Sequence, residues 1–400
     1  MINSSKVKIP LQNIQYFRKI SNDLTLFYLD EIGTFRKGKG ISNKDLVDSG
    51  VPCITYGMLY TKYNGKITKI HSYVNEEVAS KSEQSFYGDI IFPGSGETVE
   101  EIGKASVNLI TESVSVGGDT IIFKCDNRID PLYLSYVLNT DIFRIQTRRF
   151  GQGHSVVHIY IDDLKEIIVP IPPLPEQKKI AEILSTWDEA IELTKKKHSE
   201  LFLLKKGVAQ KIINNSEWKK VPLRDLLKKK NTISVPNSNQ YLEIGDVDIR
   251  TKKYTLKEKP PVKGAVLAPN GSILISTVRP TRGAITMISD NLLVSSAFVI
   301  VDLLPTVSKT FIFSQLNSEK FLNNMGRLST GSTYPTVNRE DVLSYKVLVP
   351  HIEEQDSISE IMDNLTKSLN LLETKIDLLK LQKQGLMQRL LTGKVRVKLD

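Results

Sequence analysis

The chain has 400 residues, 40% hydrophobic and 25% charged, with 54 Lys and Arg against 45 Asp and Glu, a formal net charge of +9. This balance excludes a disordered or collagen-like chain and gives room for two cored domains. The only cysteines, Cys53 and Cys125, form no CxxC pair and sit near no histidine cluster, so neither a disulfide framework nor a zinc centre is implied and a reducing cytoplasm fits.

Residues 1–23 form an N-terminal segment without the apolar stretch and small-residue cleavage site of a secretory signal. No uninterrupted apolar run of 18 residues occurs anywhere, so no membrane partner is expected. Residues 24–170 read as a first domain. Short β-type runs such as DTIIFKC alternate with Gly, Pro and Asn turns and with a helical stretch, PLYLSYVLNTDIFRIQTRRF. The expectation is a mixed α/β domain without a doubly wound nucleotide fold.

Three stretches of this domain approach catalytic motifs. GTFRKGKG (33–40) has the Gly33, Gly38 and Lys39 of a Walker A loop, but Gly40 stands where the magnesium-binding hydroxyl is needed. It reads instead as a basic Gly-rich loop able to touch a phosphate backbone. FPGSG (92–96) and DPLY (130–133) are spelled like the cofactor loop and catalytic tetrapeptide of adenine-N6 methyltransferases. Leu132 replaces the second proline, however, and the interval is short for a cofactor domain, so Gly94 and Gly96 make a turn and Asp130-Pro131 starts a helix. Asp162, Asp163 and Glu166 suit a helix start rather than a metal site. No nucleophile, base and orienting group assemble.

The segment 171–217 opens with IVPIPPLP and continues as a long helix. It is followed by a second domain (218–349), a second long helix (350–393) and a tail (394–400). Lys and Arg against Asp and Glu number 19 and 20 over 1–170, 8 and 7 over 171–217, 19 and 10 over 218–350, and 8 and 8 over 351–400. The whole excess of positive charge sits in the second domain, as suits a polyanion.

PPLPEQKKIAEIL at 172–184 returns as PHIEEQDSISEIM at 350–362, an offset of 178. The register holds without a gap for some 75 residues: Gly153 matches Gly331, Asp163 matches Asp341, and Glu176-Gln177 match Glu354-Gln355. Farther upstream GDII (88–91) resembles GSIL (271–274) at a different offset. Apolar residues then recur at steps of 4 and 3: Ile180, Leu184, Trp187, Ile191 and Leu201 in the first copy, Ile358, Leu365, Leu372, Leu379 and Leu386 in the second. A 3.5-residue period of this length predicts a coiled-coil seam, with helices of about 40 residues and about 60 Å. The chain must return after building the second domain, so the two helices are expected to pair antiparallel, one ending near Asn215 and the other at Gly393.

The proline-rich strand running into PLPEQKKI, the helix ending LLKLQKQGLMQRLLTGKVRV, and their duplication around two dissimilar domains resemble the specificity (S, HsdS) subunit of Type I restriction-modification enzymes over nearly the whole chain. PHIEEQ departs from the usual form by two prolines. The resemblance implies a non-catalytic subunit with two pseudo-symmetric target-recognition domains joined by an antiparallel two-helix coiled coil. Each domain would read one half of a bipartite double-stranded DNA site, with the helices setting the spacing. It further implies two modification (methyltransferase) subunits docked along the helices and restriction (motor-nuclease) subunits joining them. S-adenosylmethionine, ATP and Mg would then belong to the partners, with no cofactor or metal in this chain. The alternatives are an adenine-N6 methyltransferase or fused restriction-methylation enzyme, which would bind S-adenosylmethionine, and a coiled-coil scaffold, which would not bind DNA.

Side chains suited to phosphates or base edges are Arg36, Lys37 and Lys39 in the Gly-rich loop and Arg148, Arg149, Gln152 and His154 before the first long helix. In the second domain they are Thr277, Arg279 and Arg282 in STVRPTRG, and Ser332, Thr333 and Tyr334 in STGSTYP, which occupies the register of GQGHSVV. Arg, Gln and Asn can pair bidentately with purines, whereas Lys is the commoner phosphate contact.

Overall fold

The computed structural model describes residues 20–96, 98, 102–150, 157–213, 217–229 and 240–399. It has two compact units, one of Met1–Thr194 with Lys375–Asp400 and one of Lys195–Thr374. Among the described residues no helix is long and apolar enough to cross a membrane.

The first unit carries two five-stranded sheets. In one the order is Gly33–Lys37, Thr120–Cys125, Ile90–Pro93, Ser106–Asn108, Lys66–Ile67; in the other it is Leu46–Val47, Tyr73–Val74, Val51–Ile54, Val114–Val116, Glu83–Ser85. Ile90–Pro93 and the first four residues of Thr120–Cys125 are buried because both faces are covered. Phe92, Phe123, Tyr133 and Leu134 pack there in one core with Ile180 and Leu184 of the first long helix and with Leu390 and Leu391 at the end of the second. Pairing of Thr25–Tyr28 with Ile168–Ile171 ties the start of the domain to its end.

The second unit is built alike on fewer strands. Ile285–Met287, Ile273–Ser276 and Phe298–Val301 form one sheet, and Tyr241–Leu242, Leu292–Val294 and Val266–Ala268 another. Lys219–Pro222 pairs antiparallel with Lys346–Val349. Phe311, Phe321 and Met325 share a core with Ile212 and Met362 from the two long helices.

The duplication in the sequence is a duplication of structure. Helices begin at Pro131 and Lys309, at Asp141 and Glu319, at Ile161 and Arg339, and at Leu174 and Ile352; strands begin at Ile168 and Lys346. Each pair is 178 residues apart (131 to 309). The repeated phrase Glu-Gln explains part of this. Gln177 Oε1 accepts from the Asp130 N–H at 2.8 Å while its Nε2 donates to the Pro172 carbonyl at 2.9 Å. Gln355 does the same, accepting from the Ser308 N–H at 3.0 Å and donating to the Pro350 carbonyl at 2.9 Å. Each buried amide thus fixes a long helix to its own domain, where an unpaired amide would cost about 1–3 kcal/mol.

The long helices are Leu174–Ile213 and Ile352–Leu390. The expected seam positions are all turned inward: Ile180, Leu184 and Ile191 are buried, and Trp187, Leu201, Ile358, Leu365, Leu372, Leu379 and Leu386 are half-buried. Within the first unit Asp188 meets Lys383 and Glu176 meets Arg396. Within the second, His198 meets Glu373 at 3.4 Å while Ile212 shares a core with Met362. As one helix index rises the other falls in both units, which is antiparallel pairing. Gly393 adopts φ +70 after the second helix, as a left-handed cap requires, and a Cβ there would lie 2.8 Å from Leu24. Asn215 lies outside the described residues. The sequence sets the helices apart as spacers, whereas each compact unit takes in half of both, because Ile180 and Met362 complete domain cores.

Candidate nucleic-acid interface

At one end of each central sheet two loops are stitched together by the same backbone bonds. In the first unit the Gly94 N–H donates to the Asp119 carbonyl at 2.6 Å, and the Gly94 carbonyl accepts from the Ile159 N–H at 2.9 Å. In the second, the Thr277 N–H donates to the Ala297 carbonyl and the Thr277 carbonyl accepts from the Val337 N–H, both at 2.9 Å. Thus the loop after Ile90–Pro93 is joined to the segment ending at His158, and the loop after Ile273–Ser276 to the segment ending at Thr336. Short ladders extend each join: Val157 and His158 pair with Gly96 and Ser95, and Thr336 bridges Val278.

This join collects five of the six candidates of the second domain in one composite loop. The 330–336 hairpin is closed by reciprocal bonds between Thr330 and Thr336, with Gly331 at φ +98, and it presents Ser332, Thr333 and Tyr334 to solvent. Arg279 lies against it, its N–H donating to the Pro335 carbonyl at 2.7 Å and its guanidinium 4.5 Å from the Tyr334 ring centroid. The Thr277 hydroxyl is spent on the Ala297 carbonyl at 2.8 Å, so Thr277 shapes the loop. Arg282, the sixth candidate, ends the 3-10 turn Pro280–Arg282 and is exposed. Gly326 lets the helix Glu319–Leu328 approach this turn, since a Cβ there would be 2.6 Å from Thr281.

Lys252 was not singled out from the sequence. Its Nζ donates to the Gly283 carbonyl at 2.7 Å and its own carbonyl accepts from the Thr286 hydroxyl at 2.8 Å. Burial holds its ammonium below the usual lysine value. Its φ of +60, in the turn that Asp248 caps, is the feature that places it there, and nothing in the sequence announces it.

In the first unit, Lys37 and Lys39 are exposed at the same end of the sheet, where the Gly38 N–H bonds the Thr120 carbonyl at 3.0 Å. Arg36 is held inside the domain. Its guanidinium pairs with Glu83 at 2.6 Å and Asp89 at 2.8 Å, so its charge is spent on cross-sheet packing. Burial pushes the Asp89 carboxyl above its ordinary value against the pull of the Phe86 N–H and Arg36. Arg148 is exposed on the helix Asp141–Arg148 and lines a cavity of about 630 Å³ with Arg144, Gln388 and Lys394, which none of the stitched residues lines. Arg149 lies 5.8 Å from the Phe150 ring. Gln152 and His154 lie outside the described residues.

Elsewhere the motif-like residues do structural work. Asp130 caps its helix by accepting the Tyr133 N–H at 2.8 Å; Asp163 closes the start of the helix Ile161–Lys165 by accepting the Tyr160 N–H at 2.8 Å, and Asp162 pairs with Lys165. Among the described residues no group of His, Cys, Asp or Glu is arranged to hold a metal.

Four leucines that the sequence pattern left outside the seam form matched pairs at the 178 offset. Leu193 and Leu371 are 68% and 70% exposed, and Leu203 and Leu381 are both 65% exposed. The first unit shows Leu193 and Leu381, the second Leu371 and Leu203, so each displays one leucine from either helix.

The model of the Type I restriction modification DNA specificity domain matches this chain twice, over residues 22–202 and 215–381. The chain is similar to the Type I restriction enzyme MjaVIII specificity subunit of Methanocaldococcus jannaschii, 23% identical over 385 residues that cover 86% of this chain and 87% of that protein. It is also similar to the putative Type I restriction enzyme MjaX specificity subunit of the same organism, 25% identical over 348 residues and covering 78% and 79%. Its fold matches the crystal structure of the Type-I restriction-modification system S subunit from M. genitalium, with a TM-score of 0.60 at 14% identity over 99% of both chains. With a match on each copy of the repeat, taking in both domains and most of both long helices, the chain belongs to the Type I restriction modification DNA specificity family.

Proposed function

We propose that this chain is the non-catalytic, cytoplasmic recognition subunit of a Type I restriction-modification complex. Each domain reads one half of a bipartite duplex site through its stitched loops, and the paired helices set the distance between the halves. The observation that carries this reading is the repeated stitch, Gly94 with Ile159 and Thr277 with Val337, which holds two loops of different sequence in one frame. A shared frame with unlike side chains suits two half-sites of unlike sequence.

Two modification subunits dock along the helices, and restriction subunits join that complex. The exposed leucine pairs support this, because two copies of one partner need two like apolar surfaces. S-adenosylmethionine, ATP and Mg serve the partners. The methyltransferase alternative is not favoured: Asp130, which its motif would need in a cofactor site, is a helix cap.

The test is to express the chain with its cognate modification subunit and map methylated adenines in host DNA. Two fixed half-sites at one spacing are expected, as is DNA binding that weakens steeply with salt. Stoichiometric S-adenosylmethionine binding by the isolated chain would overturn the assignment.

A further inference from the structure

We propose that Arg279 reads a guanine in the major groove of the half-site taken by the second domain, and that Tyr334 positions its guanidinium to do so. This rests on the DNA-recognition reading above and specifies the base class and the pair of residues responsible.

The backbone of Arg279 is the first observation. It sits at φ +47 and ψ +56, left-handed geometry that a side chain with a Cβ rarely adopts, and Pro280 follows it directly. Strain of this kind persists where surrounding bonds impose it and where the residue has a use. Here the bonds are plain. The Arg279 N–H is fastened to Pro335, its carbonyl accepts from the Arg282 N–H at 2.9 Å, and Lys252 clamps Gly283 at the end of the turn.

The side chain is the second observation. The other strongly placed arginines of this protein are spent on carboxylates: Arg36 on Glu83 and Asp89, Arg128 on Asp126, Arg396 on Glu176. Arg279 makes no hydrogen bond or ion pair through its guanidinium to any described residue. What it has is the face of Tyr334, a ring that is itself 64% exposed. Contact with the ring restrains the guanidinium, while its N–H donors carry no bond to a described residue.

A planar guanidinium restrained by a ring, with its forked N–H donors unspent, matches the O6 and N7 acceptors of guanine, a pair offered in the major groove. A phosphate contact needs no such restraint, because a point charge on a mobile stem serves it as well. Tyr334 is accordingly a positioning residue whose contribution passes through Arg279.

The experiment uses the full chain with its modification subunits, on duplexes carrying the two half-sites identified by methylation. Each guanine of the second half-site is replaced in turn by 7-deazaguanine, which lacks the N7 acceptor. Wild-type complex should lose affinity at one of these guanines. Arg279→Ala should bind the unmodified duplex about ten- to a hundredfold more weakly and show no further loss at that guanine. Tyr334→Ala should weaken binding about three- to tenfold and shrink the 7-deaza effect, while Tyr334→Phe, which keeps the ring, should stay within about twofold of wild type. Selection of the first half-site and of the remaining bases of the second should be unchanged in every variant, which shows that both units remain folded.

Three results overturn the proposal while leaving the function standing: an undiminished 7-deaza effect in Arg279→Ala, an equal loss on all sequences as a phosphate contact gives, or a second half-site without guanine. If the wild-type complex selects no half-site, the recognition reading fails and this proposal with it.

Discussion

Arg396 holds Glu176, 220 residues earlier, through two N–H donors, at 2.8 Å and 2.6 Å, so the C-terminal tail is fastened to the first turn of the first long helix. Glu176 is 4% exposed, and the hydrogen bonds from Arg396 hold its carboxyl below the ordinary glutamate value of 4.5, against the effect of burial. Val395 and Val397, on either side of Arg396, pack on the first unit's core. The tail is therefore part of that unit.

Arg396→Met should lower the stability of the first unit by about 2 kcal/mol, a figure reduced for the partly exposed arginine, or about 5 °C in its melting temperature. A carboxylate whose folded pKa is depressed stabilises above its ordinary pKa and loses that contribution as the pH falls through the folded value. The difference between variant and wild type should thus be full at pH 7 and close below pH 4.5, as scanning calorimetry across the acid range would show.

Lys383 and Lys205 occupy equivalent positions in the two copies but have unequal partners. Burial opposes the charge on Asp188, yet hydrogen bonds from Lys383, Tyr136 and Lys66 hold its carboxyl below the usual range. At the position equivalent to Asp188 the second copy has Thr366, and burial holds the Lys205 ammonium below its ordinary value. Asp188→Thr should destabilise the first unit by about 2 kcal/mol by leaving two lysines without their carboxylate, whereas Thr366→Asp should stabilise the second by about 0.5–1 kcal/mol. Urea titration of each variant measures both signs.

Leu184 is fully buried in the core that joins the first long helix to its domain. Leu184→Ala should cost about 2.5–4 kcal/mol, transfer and cavity together. Leu193→Glu and Leu371→Glu, at exposed positions, should leave the melting temperature of the chain within about 2 °C. Each should nonetheless reduce capture of the modification subunit, one copy per substitution, when mass is read by light scattering. Full binding of two subunits by the double variant would show that the leucines are not the docking surface.

Insertion of one matched heptad after Lys196 and another after Thr374, its counterpart at the 178 offset, keeps the 3.5-residue seam and lengthens both helices by about 10 Å, roughly three base pairs of B-DNA. The bases of the two half-sites should stay the same and the preferred spacing should change. Binding falls with the accompanying rotation of one half-site by about a third of a turn. Duplexes carrying the half-sites at every spacing decide it: a variant that binds well and still prefers the parental spacing means that the helices are not the ruler.

The repeat, the two helices and their seam were legible in the sequence because each is a matter of periodicity. A 3.5-residue apolar pattern states which side of a helix is buried, and an ungapped register carries element boundaries with it, as the helices beginning at Leu174 and Ile352 show. What joins distant residues was not legible. Thr277 and Val337 meet because a strand and the segment before a helix end at the same edge of a sheet, and Arg36 is neutralised because Glu83 and Asp89 lie across that fold from it. Local sequence carries no term for such partners: the free energy of an ion pair or a stacked guanidinium depends on which groups the chain's return path brings within a few ångströms. The sequence by itself determined which residues could reach DNA by type. Only the tertiary structure decided that Arg36 is already bound to carboxylates and that Arg279 lies over the Tyr334 ring with its guanidinium unpaired by any described residue.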